Sequence, residues 1–203
     1  MLFVTSKDNS NIKKAVKLKS SAKERRKSGL FLAEGLRICM DAVRSGAQIQ
    51  TLFVTEKAMQ KHSEDFSLLE QNAQSTICVS ENIFALMSDT QSPQGFLSVI
   101  KTLSKTNEFD TIKCDGKYLA LDNVQDPSNL GTVLRSAEAF NVSGVILSAD
   151  CCDIYNPKVV RGSMGAVFRI PFIIESTVKD FLEKNPQLNS YAAVVNSKAK
   201  PTV

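Results

Sequence analysis

Asn129, Gly131 and Arg135 stand at fixed spacing within "DNVQDPSNLGTVLRSAEAF", residues 122–140, behind an apolar run and ahead of a helical pattern. In parallel α/β sheets ligands bind beyond the carboxyl ends of the strands, and the loop "DNVQDPSN" falls at such an end. An asparagine amide both donates and accepts, and a glycine lets backbone approach closely. An arginine about one turn into the following helix can reach back to the rim. With the helix N-terminal amides adding positive potential, the set suits an anion or a phosphodiester. The same residues also read as an asparagine N-cap, a turn glycine and a surface arginine. Neither G-x-G-x-x-G nor G-x-x-x-x-G-K-[ST] occurs, which disfavours dinucleotide and P-loop chemistry.

Two further stretches could serve a site. "RGSMGAVFRIPF", residues 161–172, carries small residues at Gly162, Ser163, Gly165 and Ala166, which permit tight packing of a helix on a strand or of another segment on both. Between Asn11 and Leu30 lie Lys13, Lys14, Lys17, Lys19, Lys23, Arg25, Arg26 and Lys27 against the single acid Glu24, in a chain of net charge +4. Such a cluster on a near-neutral remainder points to a polyanion partner; a solvated helix face is the alternative.

Other chemistries find little support. His62 is the only histidine and sits in a polar helical stretch, so no zinc site is expected. The five cysteines include no C-x-x-C pair and mostly adjoin apolar runs, which predicts reduced structural thiols and a cytoplasmic protein. The adjacent Cys151 and Cys152 are read as structural too. "MLFVTSKD" is too short for a signal segment and no 18-residue apolar run exists, so a soluble intracellular protein without membrane association is expected.

The elements that must position these residues follow from periodicity. Residues 8–27 predict one helix with an apolar edge of Ile12, Ala15, Val16 and the stem of Lys19. "LFLAEG" predicts a strand. The next helix carries the stripe Leu36, Cys39, Met40, Val43 and stops at Gly46. "TLFVT" and "TICVS" predict strands around a polar helix from Glu56 to about Gln71. Ser80 caps "ENIFALMSD", and "SPQGFLSVIK" ends a first α/β domain, residues 1–101. Residues 102–117 are polar and aperiodic, a linker. From 118 onward "YLALDNV", "VSGVILSA", "FRIPFII" and "SYAAVV" predict strands. They alternate with the helices "GTVLRSAEAF", "NPKVVRGSMGAV" (Asn156 as cap, Pro157 at its first position) and "TVKDFLEK". That alternation predicts βαβ units on a parallel sheet over 118–203.

"DPSNLGTVLRSAEAFNVSGVIL" followed by "NPKVVRGSMGAVFRIPF" resembles motifs 1 and 2 of the SpoU (TrmH-type) RNA 2′-O-ribose methyltransferases. "TSKDNSNIKKAVKLKSSAKERRKSGLFLAEGLRICMDAV" and "MSDTQSPQGFLSVI" resemble the substrate-binding domain that precedes the catalytic domain in the rRNA-modifying branch. The resemblance implies a ribosomal-protein-like α/β RNA-binding domain, then an α/β-knot (SPOUT) domain. It further implies S-adenosylmethionine (SAM) as cofactor, RNA, with ribosomal RNA expected, as partner, and a homodimer. Carried over, Asn129 and Arg135 are the motif 1 asparagine and catalytic arginine. Ser163 and Gly165 fall in the S-x-G core of motif 2, close to the cofactor. Lys13, Lys14, Lys17, Arg25 and Arg26 are expected to hold RNA phosphates. Glu34 and Arg37, in and beside the "EG" signature, are expected to be structural, with RNA contact the lesser alternative. The family's motif 3, with its G-N-E-G loop and S-L-N segment, does not occur in these 203 residues, so the knot-forming C-terminus is expected to be missing from this methyltransferase domain. A non-catalytic RNA-binding protein on the same scaffold is therefore the competing expectation, and a small-molecule α/β enzyme is a third, weaker one.

Overall fold

The computed structural model describes residues 1–103, 112–113 and 115–193. They build two sheets. The first has the order β1 (Leu2–Val4), β4 (Thr76–Val79), β3 (Ile49–Thr55), β5 (Phe96–Lys101), β2 (Leu30–Glu34). The first three strands in that order are parallel, and β5 runs antiparallel to β3 and β2. β1 is a strand that periodicity alone did not reveal, because a three-residue strand is too short to show alternation.

Side chains along β2 alternate between two cores, as a period of two demands. Leu30 and Leu32 join Ile12, Ala15 and Leu18, whereas Phe31 and Ala33 join the opposite cluster. The basic stretch forms two helices rather than one, α1 (Ser10–Ser20) and α2 (Ala22–Ser28). Ser21 is extended at the break, and its hydroxyl accepts the amide of Glu24. The third apolar position of α1 is Leu18, fully buried, and not the stem of Lys19.

α3 (Leu36–Arg44) ends as expected, with Gly46 at φ 69° donating its amide to the Val43 carbonyl. The polar helix is likewise divided at His62 into α4 (Glu56–Lys61) and α5 (Ser63–Gln71). The Ser80 side chain caps α6 (Glu81–Met87).

The second sheet is parallel, in the order β6 (Tyr118–Leu121), β7 (Gly144–Ser148), β8 (Phe172–Glu175). Its helices are α7 (Pro127–Ala139), α8 (Pro157–Gly162), α9 (Ala166–Arg169) and α10 (Val178–Lys184). Asn156 and Pro157 open α8 as expected, and Thr177 with Asp180 forms a capping box on α10. Three boundaries differ from expectation. α7 begins at Pro127 because Asp126, not Asn129, is its N-cap. α8 stops after Gly162, since Met164 and Gly165 adopt positive φ. Phe168 and Arg169 belong to the short α9 rather than to a strand. Tyr191–Ala193 form no strand, and residues 194–195 of that expected element lie outside the described residues, as do 104–111 and Cys114 of the expected linker.

The two sheets share a core. α8 packs on edge strand β2, and one cluster joins Phe31 and Ala33 to Leu130, Leu134, Val159 and Phe168. The Phe31 ring centroid lies 4.5 Å from that of Tyr155 and 6.1 Å from that of Phe168. Leu103 is drawn into this seam: its amide donates to the Tyr155 hydroxyl at 2.9 Å. Burial raises the Tyr155 phenol from 10.0 to about 12, against the lowering effect of the Leu103 hydrogen bond. A phenol whose folded value is raised stabilises the fold below its unfolded value and loses that contribution as pH climbs through the folded one. In an alkaline titration followed by phenolate absorbance, one of the three tyrosines should therefore ionise only near pH 12, and stability should fall between pH 10 and 12. Ionisation of all three together while the protein is still folded would contradict this placement of Tyr155.

Among the described residues no helix is long and apolar enough to cross a membrane, and no group of three or more His, Cys, Asp or Glu could hold a metal ion.

Candidate functional site

Motif 1 and motif 2 meet through two glycines. A Cβ on Gly131 of α7 would lie 3.0 Å from the Gly162 Cα and 3.0 Å from the Val159 carbonyl oxygen of α8. Backbone cannot yield as a side chain can, so only glycine at 131 lets the helices approach this closely. Gly131 is thus a packing glycine, not a turn residue. Arg135 and Glu138 follow at i+4 and i+7 on the same stripe of α7. Glu138 holds Arg169 of α9 through a two-pronged ion pair whose Arg169 Nη2–Glu138 Oε2 leg is 3.0 Å. Arg135 stands between those contacts, solvent-exposed.

Because α7 starts at Pro127, Arg135 lies about 12 Å along the helix from its first residue. It therefore belongs to the helix flank beside motif 2 and not to the strand-end rim. Asn129, also exposed, lies in the first turn, where its backbone amide donates to Asp126 Oδ1 at 2.8 Å.

The motif 2 turn is built for packing. Ser163 is fully buried, and its hydroxyl donates to the Val160 carbonyl at 2.8 Å. Gly165, at φ 88°, has no room for a Cβ, which would lie 2.5 Å from Asp41 Oδ2 and 2.8 Å from Arg169 Nη1. Asp41 comes from α3 of the first sheet, so this turn is where the two sheets lock. Arg169 lies 3.8 Å from Asp41. Arg161 Nη2 lies 3.2 Å from Asp89 Oδ2. The Asp89 amide in turn donates to Glu34 at 2.7 Å, and the hydroxyls of Ser88 and Thr90 also donate to that carboxylate. Glu34 of the "EG" signature is structural in this sense: it gathers the 88–90 loop.

A cavity of about 700 Å³ opens where the strand ends of β7 and β8 face α2. Arg25 lines it but is only 3% exposed; its Nε lies 2.6 Å from Asp153 Oδ2 and its Nη1 donates to the Leu18 carbonyl at 2.6 Å. The expectation that Arg25 holds RNA is corrected, because its guanidinium is buried and turned to the Asp153 carboxylate rather than offered at the surface. Other members of the basic run are partly engaged as well. Lys14 donates to Gln50, Lys19 to the carbonyls of Leu86 and Ser88, and Lys13 pairs with Asp8 at the surface. Lys17 and Arg26 are exposed.

The motif 1 loop is stitched to the end of β7 by sulfur and hydroxyl acceptors. The Asn123 amide donates to Ser148 Oγ at 2.9 Å, and the Val124 amide to Cys151 Sγ at 3.4 Å. The four described cysteines are free. Burial pushes the Cys39 thiol up to about 12 and raises Cys152 as well, which suits structural thiols.

Sequence reasoning missed Asp41, Asp89, Asp153, Arg161 and Arg169. No local pattern marks them, since Arg25 and Asp153 are 128 residues apart and Arg161 and Asp89 are 72 apart.

Residues 9–98 match the MRM3-like substrate binding domain and residues 116–203 match the SpoU rRNA Methylase family. The chain carries a SpoU rRNA methylase domain behind an MRM3-like substrate-binding domain. Among curated relatives of this SpoU chain, the mitochondrial rRNA methyltransferase 3 of Xenopus laevis is 36% identical over 169 residues, covering 80% of this chain and 39% of its own length. The 23S rRNA (guanosine(2553)-2'-O)-methyltransferase RlmP of Bacillus subtilis is 30% identical over 173 residues, covering 85% of this chain and 65% of its own. The AdoMet-bound rRNA methyltransferase of Sinorhizobium meliloti superposes with a TM-score of 0.76 at 29% identity, over 89% of this chain and 67% of that one. The mixed α/β architecture, with a front unit followed by a methylase unit, is thus that of SpoU methyltransferases.

Proposed function

We propose that these residues are the RNA-binding unit and the motif 1–motif 2 part of a SAM-dependent methyltransferase acting on a ribose 2′-hydroxyl of rRNA. The observation that carries the proposal is the Gly131–Gly162 contact. It sets the motif 1 arginine on the flank of the motif 2 turn, and that turn is locked onto the front unit through Gly165 and Asp41. SAM, when bound, supplies an already activated methyl group. The work left to the protein is to orient the hydroxyl, accept its proton and balance charge. Arg135, exposed and unpaired among the described residues, is the group offered to the substrate phosphate and to charge developing on the 2′-oxygen. Asn129 is assigned to orienting the ribose.

Ser163 and Gly165 are assigned to the cofactor side of the site through the backbone of their turn, since the serine hydroxyl donates to Val160 and the glycine has no side chain.

Free cysteines fit a reducing compartment. The cytoplasm is our assignment, although the Xenopus relative carries a mitochondrial name. A homodimer is part of the same proposal, to be read by sedimentation.

The test is titration of the protein with SAM by calorimetry. Saturable binding, displaced by S-adenosylhomocysteine, is the expected result, with methyl transfer to rRNA as the following assay. A folded sample that evolves no heat would sink the enzymatic reading and leave an RNA-binding protein.

A further inference from the structure

The described residues carry a second basic feature, and it is concave. A trough of about 650 Å³ runs between α3 and α4 of the front unit. Arg37 and Arg44 line one wall at i and i+7 of α3, and Lys57 and Lys61 line the other at i and i+4 of α4. Each spacing keeps its pair on one helix face. All four are exposed. Arg37, Lys57 and Lys61 have no ion-pair partner among the described residues, and Arg44 has only Asp41 at 3.8 Å. Like charges one turn apart on a helix repel, so α4 keeps Lys57 beside Lys61 at a cost to its own stability.

The trough does not end on the front unit. Arg37 and Gln94 also line a second cavity, of about 270 Å³, whose far wall is Arg161 and Met164 of motif 2. Arg161 Nη1 is buried there without a hydrogen-bond partner, while its Nη2 is held by Asp89. The acids of the second cavity are already occupied: Glu34 accepts from the 88–90 loop and Asp41 faces Arg169 and Arg44. In the trough itself the remaining acids are Asp65, 4.0 Å from His62, and Glu81.

We propose that this trough is the track for the phosphodiester backbone of single-stranded RNA, entering at Lys61 and Lys57, passing Arg37, and reaching Arg161 of motif 2. It rests on the reading of the chain as an RNA-modifying protein and moves the main RNA contact away from the basic run of α1 and α2. In that run Arg25 is buried, Lys14 and Lys19 are already bonded, and Lys13 is paired with Asp8. Three unpaired cations, Lys61, Lys57 and Arg37, leading toward Arg161 with its free Nη1 are what a polyanionic strand would follow.

The experiment is fluorescence anisotropy with a labelled short RNA of mixed sequence, over a series of salt concentrations. It compares the unmodified protein with Arg37→Ala/Lys57→Ala/Lys61→Ala and with Lys13→Ala/Lys17→Ala. All five substituted side chains are exposed, and circular dichroism checks that both variants fold. Each single-strand phosphate contact adds about 0.7 to the slope of log affinity against log salt. The triple variant should therefore lose roughly 2 from that slope and on the order of tenfold or more in affinity at low salt. The α1 variant should change both much less. Equal losses in the two variants, or wild-type affinity and slope in the triple variant, would overturn the track. If the unmodified protein binds no RNA at all, the reading beneath the proposal falls together with it. Crosslinks from 4-thiouridine RNA should map to α3 and α4; crosslinks confined to α1 would also count against it.

Discussion

Arg25→Met destabilises the protein by about 3–5 kcal/mol, the loss expected when one partner of a buried ion pair is removed. The Arg25 and Asp153 side chains are 4% and 12% exposed, so neither partner can be rehydrated in place. The truncation strands the Asp153 carboxylate and also the Leu18 carbonyl that Arg25 Nη1 satisfies. Replacing both members together, as Arg25→Met/Asp153→Leu, should recover most of the loss, because apolar side chains of similar volume avoid the desolvation that the pair overcomes. Asp153 Oδ1 also accepts the Tyr155 amide, so recovery stays incomplete. Urea unfolding of the two variants provides the comparison. A change below about 1 kcal/mol in Arg25→Met would mean that the pair behaves as a surface salt bridge. The result bears on function as well as stability, since this pair ties α2 of the front unit to the strand-end loop of the methylase unit.

Arg135→Lys should lower the rate of methyl transfer by roughly a hundredfold to a thousandfold, the range for loss of one donor to a developing oxyanion. Lysine keeps the charge but loses the planar fork that can hold a phosphate with two parallel hydrogen bonds. A guanidinium is a poor candidate for a base, because it gives up its proton far less readily than the other basic side chains. Its role is better framed as clamping the phosphate while the proton leaves through phosphate or water. The effect should therefore fall on kcat, with KM and RNA affinity little changed, because Arg135 is one contact among many cations. The measurement is single-turnover transfer from labelled SAM alongside RNA binding. Near-wild-type turnover would take Arg135 out of the chemistry, and a loss confined to RNA affinity would make it an ordinary phosphate contact.

Local rules carried far in this chain. Ser80 and Asn156 with Pro157 announced helix starts that the structure has, because capping is chemistry between residues a few positions apart. They failed where two signals competed at one boundary. "DPSN" offers both Asp126 and Asn129 as caps, and the earlier one wins because Pro127 is suited to the first helical position. "RGSMGAV" looks helical through its small residues. Yet Met164 and Gly165 turn left-handed so that the chain can pass Asp41, a partner more than a hundred residues away in sequence.

By itself the sequence determined most of the strand–helix alternation of both units, the caps at Ser80 and Asn156 and the two SpoU motifs, since each rests on neighbours within a turn or a strand. Only the tertiary structure decided which charges are free. Arg25 and Lys57 are both basic residues on helices in the sequence, and nothing local separates them. The fold buries the first against Asp153 and leaves the second exposed on the wall of a trough between α3 and α4. The physical reason is that a charge is spent or available according to what packs against it, and these partners arrive from the far end of the chain.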